Sequence, residues 1–337
     1  MKELLEKLIN AYGVSGSEEE VRSIIEKEIK KYVDEVSVDK IGNLIATKKG
    51  SQPRVMLAAH MDEVGIVAKN ISDDGRIYFS LVGGIDLTTL LGQRVVVKQG
   101  KKRIIGIIST EKMEEGASIK ETPTLDDMFV DFEFNKKELK KNGIDIGTFM
   151  IFEQTTEYLD NGQTICGKAL DDRIGCYILI ELAKRLKKTK NEVNFVFTVQ
   201  EEIGLYGAKL SAYKIEPDWA IVVDVTYISE KNSAKRIGNG PCITIKDVSM
   251  IGNKCINNWL LDIAKKKKIP VQLDVSDFGT TDALNISLSR GGVPSTALCI
   301  AIKNIHSAVG VASLKDVENA IALLHELLKN PPKVCLV

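Results

Sequence analysis

Four stretches of the chain are almost entirely apolar, which is the pattern of strands that a sheet buries on both of its faces. Between them lie segments with apolar residues at three- and four-residue spacing, which is typical of helices. This alternation predicts an α/β fold in which helices cover both sides of a mainly parallel sheet. The four stretches are RVMLAA, VNFVFTV, WAIVVDV and PSTALCIAI, which begin at Arg54, Val193, Trp219 and Pro294.

The middle of the chain has a different sequence pattern. From about Gly65 to about Phe152, short strand-like segments alternate with turns rich in Gly, Asp and Asn, and only the NKKELKKNG piece looks helical. We therefore predict a compact all-β insert within the α/β domain. Near the N-terminus, Ser17 and Glu20 have the spacing of a capping box and predict the start of the second helix there.

Charge and composition exclude several classes of partner. The 337 residues carry a net charge of zero, so nothing favours binding to nucleic acid or to an anionic membrane. No run reaches the roughly 18 apolar residues that a membrane-spanning helix needs. The six cysteines are scattered without a C-x-x-C pair, so we expect reduced thiols in a cytoplasmic protein.

Ionisable residues follow each of the four apolar strands. Because ligands of open α/β sheets bind at the carboxyl ends of the strands, we expect these side chains to meet at one edge. Asp171, at the start of a helix in GKALDDRIG, can join them, whereas His325 in the last helix is expected to be a surface or packing residue. In chain order the strands are followed by, or end near, His60 and Asp62, Glu201 and Glu202, Asp224, and His306.

This set of nitrogen and oxygen ligands indicates a metal site. Two histidines with three or more carboxylates suit zinc, cobalt or manganese, and the set lacks the thiolates of a structural zinc site. Carboxylates packed together without a cation would repel one another, and a pair of divalent cations removes that difficulty. One carboxylate can bridge two metals ~3.5–4 Å apart. Asp171 is the candidate bridge, and Arg173 is predicted to be its charge partner.

Several motifs occur together in a family-specific order: AAHMDEVG, GKALDDRIG, VQEEIGLYGA, VVDV, GTTDA and HS. With them the chain resembles the tetrahedral, or glutamyl (deblocking), metallo-aminopeptidases, whose members are often mislabelled endoglucanase. The resemblance covers essentially the whole chain. It implies an α/β catalytic domain of residues 1–66 and 154–337, with a small PDZ-like β-barrel of residues 67–153 inserted as a dimerisation domain. It also implies homo-oligomers, with dimers assembling into a dodecamer.

The resemblance also implies a role for each site residue. Two divalent metal ions per subunit, zinc, cobalt or manganese, would be held by His60, Asp171, Glu202, Asp224 and His306, with Asp171 as the bridge. Asp62 would orient His60, and Glu201 would be the general base that takes a proton from the water between the two metals. The peptide bond between Asp171 and Asp172 is expected to be cis.

The implied function is a metallo-aminopeptidase that hydrolyses N-terminal residues from short peptides. A related co-catalytic metallo-carboxypeptidase or deacylase would also hold its metal ligands at this edge of the sheet. It would release a C-terminal residue or an acyl group instead. The alternative that is not an enzyme is a catalytically silent scaffold on the same fold. It would bind peptides by strand addition to the β insert.

Overall fold

The computed structural model describes residues 2–100, 102–112, 123–228, 234–329 and 331–332. Within them, an eleven-stranded mixed sheet is flanked by helices, and six further strands form a closed barrel. This confirms the predicted α/β fold with a small inserted β-barrel. None of the described helices is long and apolar enough to cross a membrane.

The described helices and strands follow one another in an alternating order that the barrel strands interrupt. The helices are α1 Lys2–Asn10, α2 Glu19–Ile29, α3 Lys136–Lys141, α4 Leu170–Arg185, α5 Tyr206–Ile215, α6 Lys254–Lys267, α7 Ala283–Ser287 and α8 Leu314–Lys329. The strands are β1 Glu35–Val38, β2 Leu44–Lys48, β3 Ser51–His60, β4 Gly65–Ile71, β5 Ile77–Val82, β6 Arg94–Gln99, β7 Lys102–Thr110, β8 Met128–Asp131, β9 Phe149–Phe152, β10 Glu157–Leu159, β11 Thr164–Gly167, β12 Asn191–Thr198, β13 Trp219–Tyr227, β14 Cys242–Lys246, β15 Gln272–Val275, β16 Ser295–Lys303 and β17 Gly310–Ser313.

The four apolar stretches of the sequence form the centre of the large sheet. Strands β12, β3, β13 and β16 lie side by side and are parallel, while antiparallel strands continue the sheet on both sides. Alternate residues of β3 explain the unbroken apolar pattern. Leu57 packs into the core shared with α1, α2, α4 and α8, whereas Met56 and Ala58 pack into the core shared with α5 and α7.

The register of the central strands aligns their carboxyl ends. His60, the last residue of β3, pairs with Thr198, the last residue of β12. On the other side, Asp224 of β13 pairs with Cys299 of β16. Residues at the ends of these strands are therefore neighbours in space although they are far apart in the chain.

The barrel is closed in the order β4, β5, β8, β7, β6, β9, and all of its pairings are antiparallel. It has an apolar interior of its own, which includes Ile66, Phe79 and Val130. Burial alternates along strand β7: Ile104 and Ile108 face the barrel interior, whereas Ile105 and Ile107 are exposed. The barrel strands run from Gly65 to Phe152; the boundaries at 67 and 153 and the dimerisation role stay predictions.

The predicted cap of α2 is wrong. The expected capping box at Ser17 and Glu20 does not form, because α2 begins at Glu19 and its N-cap, Glu18, makes no side-chain capping bond. The Glu18 carboxylate instead accepts hydrogen bonds from the backbone N–H groups of Gly16 (2.7 Å) and Gln200 (3.3 Å).

The cysteines also depart from expectation at one position. Cys255 is disulfide-bonded, so the predicted reduced state is wrong there. Cys335 lies outside the described residues. The remaining four are free thiols, as expected: Cys166, Cys176, Cys242 and Cys299.

Candidate metal and catalytic site

The carboxyl ends of the central strands bring the predicted site residues to one edge of the sheet. His60 ends β3 and Asp224 lies in β13, while Glu201, Glu202 and His306 lie in the loops that follow β12 and β16. All five line the same cavity, together with Asp171 from the start of α4. The parallel centre of the sheet therefore assembles side chains from five separate segments.

Asp171 lies between the two histidines and offers one carboxylate oxygen to each. Its Oδ1 is 3.0 Å from His60 Nε2, and its Oδ2 is 3.4 Å from His306 Nε2. His60 Nε2 is also 3.9 Å from Asp224 Oδ1, and His306 Nε2 is 3.5 Å from Glu202 Oε2. The side chains thus divide into two groups that meet at Asp171.

Both groups have the composition and spacing of metal ligands. His60, Asp171 and Asp224 form one, and Asp171, Glu202 and His306 form the other; within each, one atom per residue lies within 4.8 Å of the others. The Glu202 side chain is 3% exposed, and its Oε1 has no hydrogen-bond partner in the described structure. A buried carboxylate oxygen without a donor is costly unless a cation compensates it. These nitrogen and oxygen donors fit two hard or borderline divalent cations.

The concentration of negative charge shows in the acidity of these groups. Burial, reinforced by the Asp171 carboxylate, raises the pKa of Glu202 to about 8 and that of Asp224 to about 7. Burial, Asp224 and the nearby Asp282 raise the pKa of Glu201 well above its usual range. Cations placed among these carboxylates would favour their ionised forms.

Asp62 lies beside His60 and also contacts the loop that follows β12. His60 Nδ1 lies 3.1 Å from the backbone oxygen of Asp62, whereas the nearest Asp62 carboxylate oxygen is 3.6 Å away. The carboxylate accepts hydrogen bonds from Ser15 Oγ (2.6 Å) and from the backbone N–H groups of Glu201 and Glu202, both at 3.1 Å. Asp62 therefore holds the segment that carries both glutamates.

The predicted ion pair between Arg173 and Asp171 is wrong. Arg173 is fully buried and lies 3.3 Å from Glu63 Oε1, and Lys168 Nζ lies 2.9 Å from both oxygens of Glu63. This buried pairing ties the residue after Asp62 to both sides of the Asp171 segment. The two basic side chains also donate to backbone oxygens of the first helix and the following loop, at Leu8, Ala11 and Gly13.

The backbone around Asp171 has the unusual conformation that the resemblance implied. The peptide bond between Asp171 and Asp172 is cis, which confirms that prediction. Ala169 and His306 both have a positive φ, at 48° and 53°, and such residues occur often at functional sites. His325, the third histidine, lies half-buried in α8 and belongs to neither ligand group, as expected.

The cavity of about 610 Å³ extends well beyond the ligand groups. Sequence reasoning did not single out its far end. The position of Thr226 at this end could have been predicted from the sequence, because Thr226 follows Asp224 by two residues and so faces the same side of β13. The residues of the far end that were missed are Thr226, Tyr227, Thr244, Asp247, Asp274, Ser276 and Phe278.

Comparison with known proteins gives consistent matches over the whole chain. The model of the M42 glutamyl aminopeptidase family matches residues 42–323. A relative from Acetivibrio thermocellus is 41% identical over 333 residues, which are 97% of this chain and 98% of the relative.

Two solved structures are also similar to this chain over almost its whole length. The TET aminopeptidase of the marine sediment archaeon Thaumarchaeota archaeon SCGC AB-539-E09 has 37% identity and a TM-score of 0.93, covering 98% of this chain and 97% of that one. The TET1 peptidase of Pyrococcus horikoshii can assemble into a tetrahedron or a large octahedral shell. It has 34% identity and a TM-score of 0.90, and the match covers 98% of this chain and 99% of that one.

Proposed function

Because this chain belongs to the M42 glutamyl aminopeptidase family and is an aminopeptidase, we propose that it removes N-terminal residues from short peptides with two divalent cations and a glutamate general base. The observation that carries the proposal is the position of Asp171, whose two oxygens face His60 and His306 separately. A carboxylate shared in this way suits a pair of cations held close together.

Each ligand group would hold one cation. His60, Asp171 and Asp224 would bind the first, and Asp171, Glu202 and His306 the second. Bound zinc, cobalt or manganese would supply Lewis acidity, which makes water a stronger nucleophile and polarises the scissile carbonyl.

Glu201 is the proposed general base. It lines the cavity beside the ligands and belongs to neither ligand group, so its carboxylate is left for proton transfer. It would take a proton from the attacking water and pass it to the nitrogen of the departing peptide, which leaves as a free amine. Because Asp62 anchors the Glu201 backbone, we assign Asp62 a positioning role in the same step.

We further propose that the protein works as a cytoplasmic homo-oligomer in which dimers assemble into a dodecamer. The similarity to PhTET1-12s, a dodecamer, and to the TET1 peptidase of Pyrococcus horikoshii, which can form a tetrahedron, supports this proposal. The barrel, proposed as a dimerisation domain of residues 67–153, exposes Ile105, Ile107 and Phe149 on its outer surface. Analytical ultracentrifugation would test the proposal, and a monomer at micromolar concentration would contradict it.

The test of function compares three kinds of substrate under identical conditions. We expect mass spectrometry to show stepwise loss of residues from the N-terminus of short peptides, with no loss from the C-terminus and no deacylation of N-acetylated amino acids. A chelator should abolish the activity, and added zinc or cobalt should restore it. Release of C-terminal residues, or full activity in the chelator, would overturn the proposal.

A further inference from the structure

Strand β13 connects the ligand groups with the far end of the active-site cavity. Asp224 and Thr226 are two residues apart on this strand, so they face the same side and are separated by about 7 Å along it. Thr226 lines the cavity with Asp247 and Asp274. The side chain of a substrate residue held at the ligand groups would therefore extend toward these polar residues.

Most of the charge at this end is already balanced. The Asp274 carboxylate is 3% exposed and lies 2.6 Å from Lys235 Nζ. Thr226 Oγ1 donates to Asp274 at 2.7 Å, and Lys235 Nζ donates to Thr226 at 2.8 Å. The three side chains form a compact group in which one positive and one negative charge offset each other.

The Asp247 carboxylate forms no ion pair among the described residues, since the neighbouring Lys246 ammonium donates to the Asp247 backbone oxygen at 3.0 Å and pairs with Asp277. Asp247 is 5% exposed, and its Oδ1 accepts hydrogen bonds from the backbone N–H groups of Ser249 and Met250, both at 2.7 Å. Its Oδ2 has no hydrogen-bond partner among the described atoms. No lysine or arginine occurs among the described residues that line the cavity. The far end of the cavity thus offers the Asp247 carboxylate to an incoming side chain, with no lysine or arginine in its described lining.

Two backbone hydrogen bonds hold Asp247 against the opposite wall. Ser276 N–H donates to the Lys246 oxygen at 2.9 Å, and Val248 N–H donates to the Gly279 oxygen at 3.2 Å. The cavity lining also includes the apolar side chains of Leu205 and Phe278, and Phe278 is 79% exposed. Such a wall suits the methylene groups of a long side chain whose polar end reaches a fixed carboxylate.

We propose that this end of the cavity selects a basic residue, lysine or arginine, at the N-terminus of the substrate, and that Asp247 is the specificity-determining residue. The inference rests on the proposed aminopeptidase function and names its substrate class. A glutamate or aspartate side chain would instead enter a buried site next to a carboxylate, with no cation to offset it, and discrimination of this kind is an effective source of specificity.

The first test uses the unaltered, metal-loaded enzyme and four p-nitroanilides: those of lysine, norleucine, leucine and glutamate. Norleucine has the straight apolar chain of lysine without the ammonium group, so this pair isolates the charge. We expect kcat/KM for the lysine substrate to exceed that for norleucine at least about tenfold, with glutamate the poorest. Equal values for lysine and norleucine, or a preference for glutamate, would overturn the inference.

The second test uses Asp247→Asn, which keeps the volume and the Oδ1 acceptor while it removes the charge. Hydrolysis of the lysine substrate should fall about tenfold or more in kcat/KM, and hydrolysis of norleucine and leucine should change little. Asp277→Asn is the matched control, because Asp277 pairs with Lys246 in a neighbouring loop and is 88% exposed. An equal loss on all substrates with Asp247→Asn, or the same lysine-specific loss with Asp277→Asn, would overturn the assignment.

The two proposals fail in different ways. If the unaltered enzyme hydrolyses none of the aminoacyl anilides and no peptide from its N-terminus, the proposed function itself is wrong. If it hydrolyses them with an apolar or acidic preference, only the inference about Asp247 is wrong.

Discussion

The side chain of Asp62 holds the backbone of Glu201, whose N–H donates to Asp62 Oδ1 at 3.1 Å. The other carboxylate oxygen accepts the N–H of Glu202, also at 3.1 Å. One fully buried carboxylate therefore fixes the proposed general base and one proposed ligand at the same time. Its own position is secured by Ser15, which donates to Oδ2 at 2.6 Å.

Asp62→Asn should reduce catalysis by displacing Glu201 and Glu202. The amide NH₂ cannot accept a hydrogen bond, so one backbone donor loses its partner, which costs about 1–3 kcal/mol in the free energy of unfolding. Misplacement by an ångström can reduce kcat about 10²-fold. Steady-state kinetics and denaturant unfolding would measure both effects, with the exposed Asp73→Asn as control. Unchanged kcat would show that Asp62 has no positioning role.

Glu201→Gln should remove proton transfer while it preserves the volume of the side chain. General acid–base catalysis contributes about 10²–10⁴-fold, so kcat should fall by that amount. Because Glu201 belongs to neither ligand group, elemental analysis should find the same metal content as in the unaltered enzyme. Near-normal turnover would contradict the general-base assignment, and loss of metal would indicate that Glu201 is a ligand.

The histidines of the chain provide a matched pair for testing the ligand groups. His306→Ala should lose one of the two proposed cations, because it removes the only nitrogen donor of the group with Asp171 and Glu202. His325→Ala, in α8, removes the same side chain from outside the site and should keep both. Metal content after dialysis against a weak chelator would separate the two variants. Equal content would contradict the proposed second group.

Glu63→Gln should destabilise the fold through Lys168 and Arg173. Both basic groups are buried, and removal of one partner from a buried ion pair typically costs about 3–5 kcal/mol. Glu3→Gln is the control, because its pair with Lys7 is exposed and contributes little. Chemical denaturation would compare the variants, and equal midpoints for Glu63→Gln and the unaltered protein would show that the buried network contributes no net stability.

The parts of the fold that the sequence predicted are those with a local signal. Continuous apolar runs identified β3, β12, β13 and β16, because strands covered on both faces have no polar side to interrupt them. Charged residues directly after these runs then indicated the ligand groups, since the carboxyl ends of parallel strands meet at one edge.

The errors arose where a local pattern competed with distant partners. Arg173 is close to Asp171 in sequence but pairs with Glu63, which is 110 residues away and has no local signal apart from its place after Asp62. Ser17 and Glu20 have capping-box spacing, but Glu18 occupies the N-cap and its carboxylate is used by Gly16 and Gln200. Asp247 was missed for the same reason, since its significance depends on which loops meet at the cavity.

Glu18 offers a prediction about pH. Its side chain is buried, and burial raises its pKa from 4.5 to about 7. Between these values the folded protein keeps a proton that the unfolded chain has released, so the contribution of Glu18 to stability is complete below pH 4.5 and is lost as the pH rises to about 7. Glu18→Gln keeps the Oε1 acceptor for Gly16 and Gln200 but cannot ionise. The variant should therefore gain stability relative to the unaltered protein as the pH rises from about 5 to about 8, by up to about 3 kcal/mol in the free energy of unfolding. Urea unfolding at each pH would measure the difference, and a constant difference between the two proteins would show that the Glu18 carboxyl has the same pKa in the folded and unfolded states.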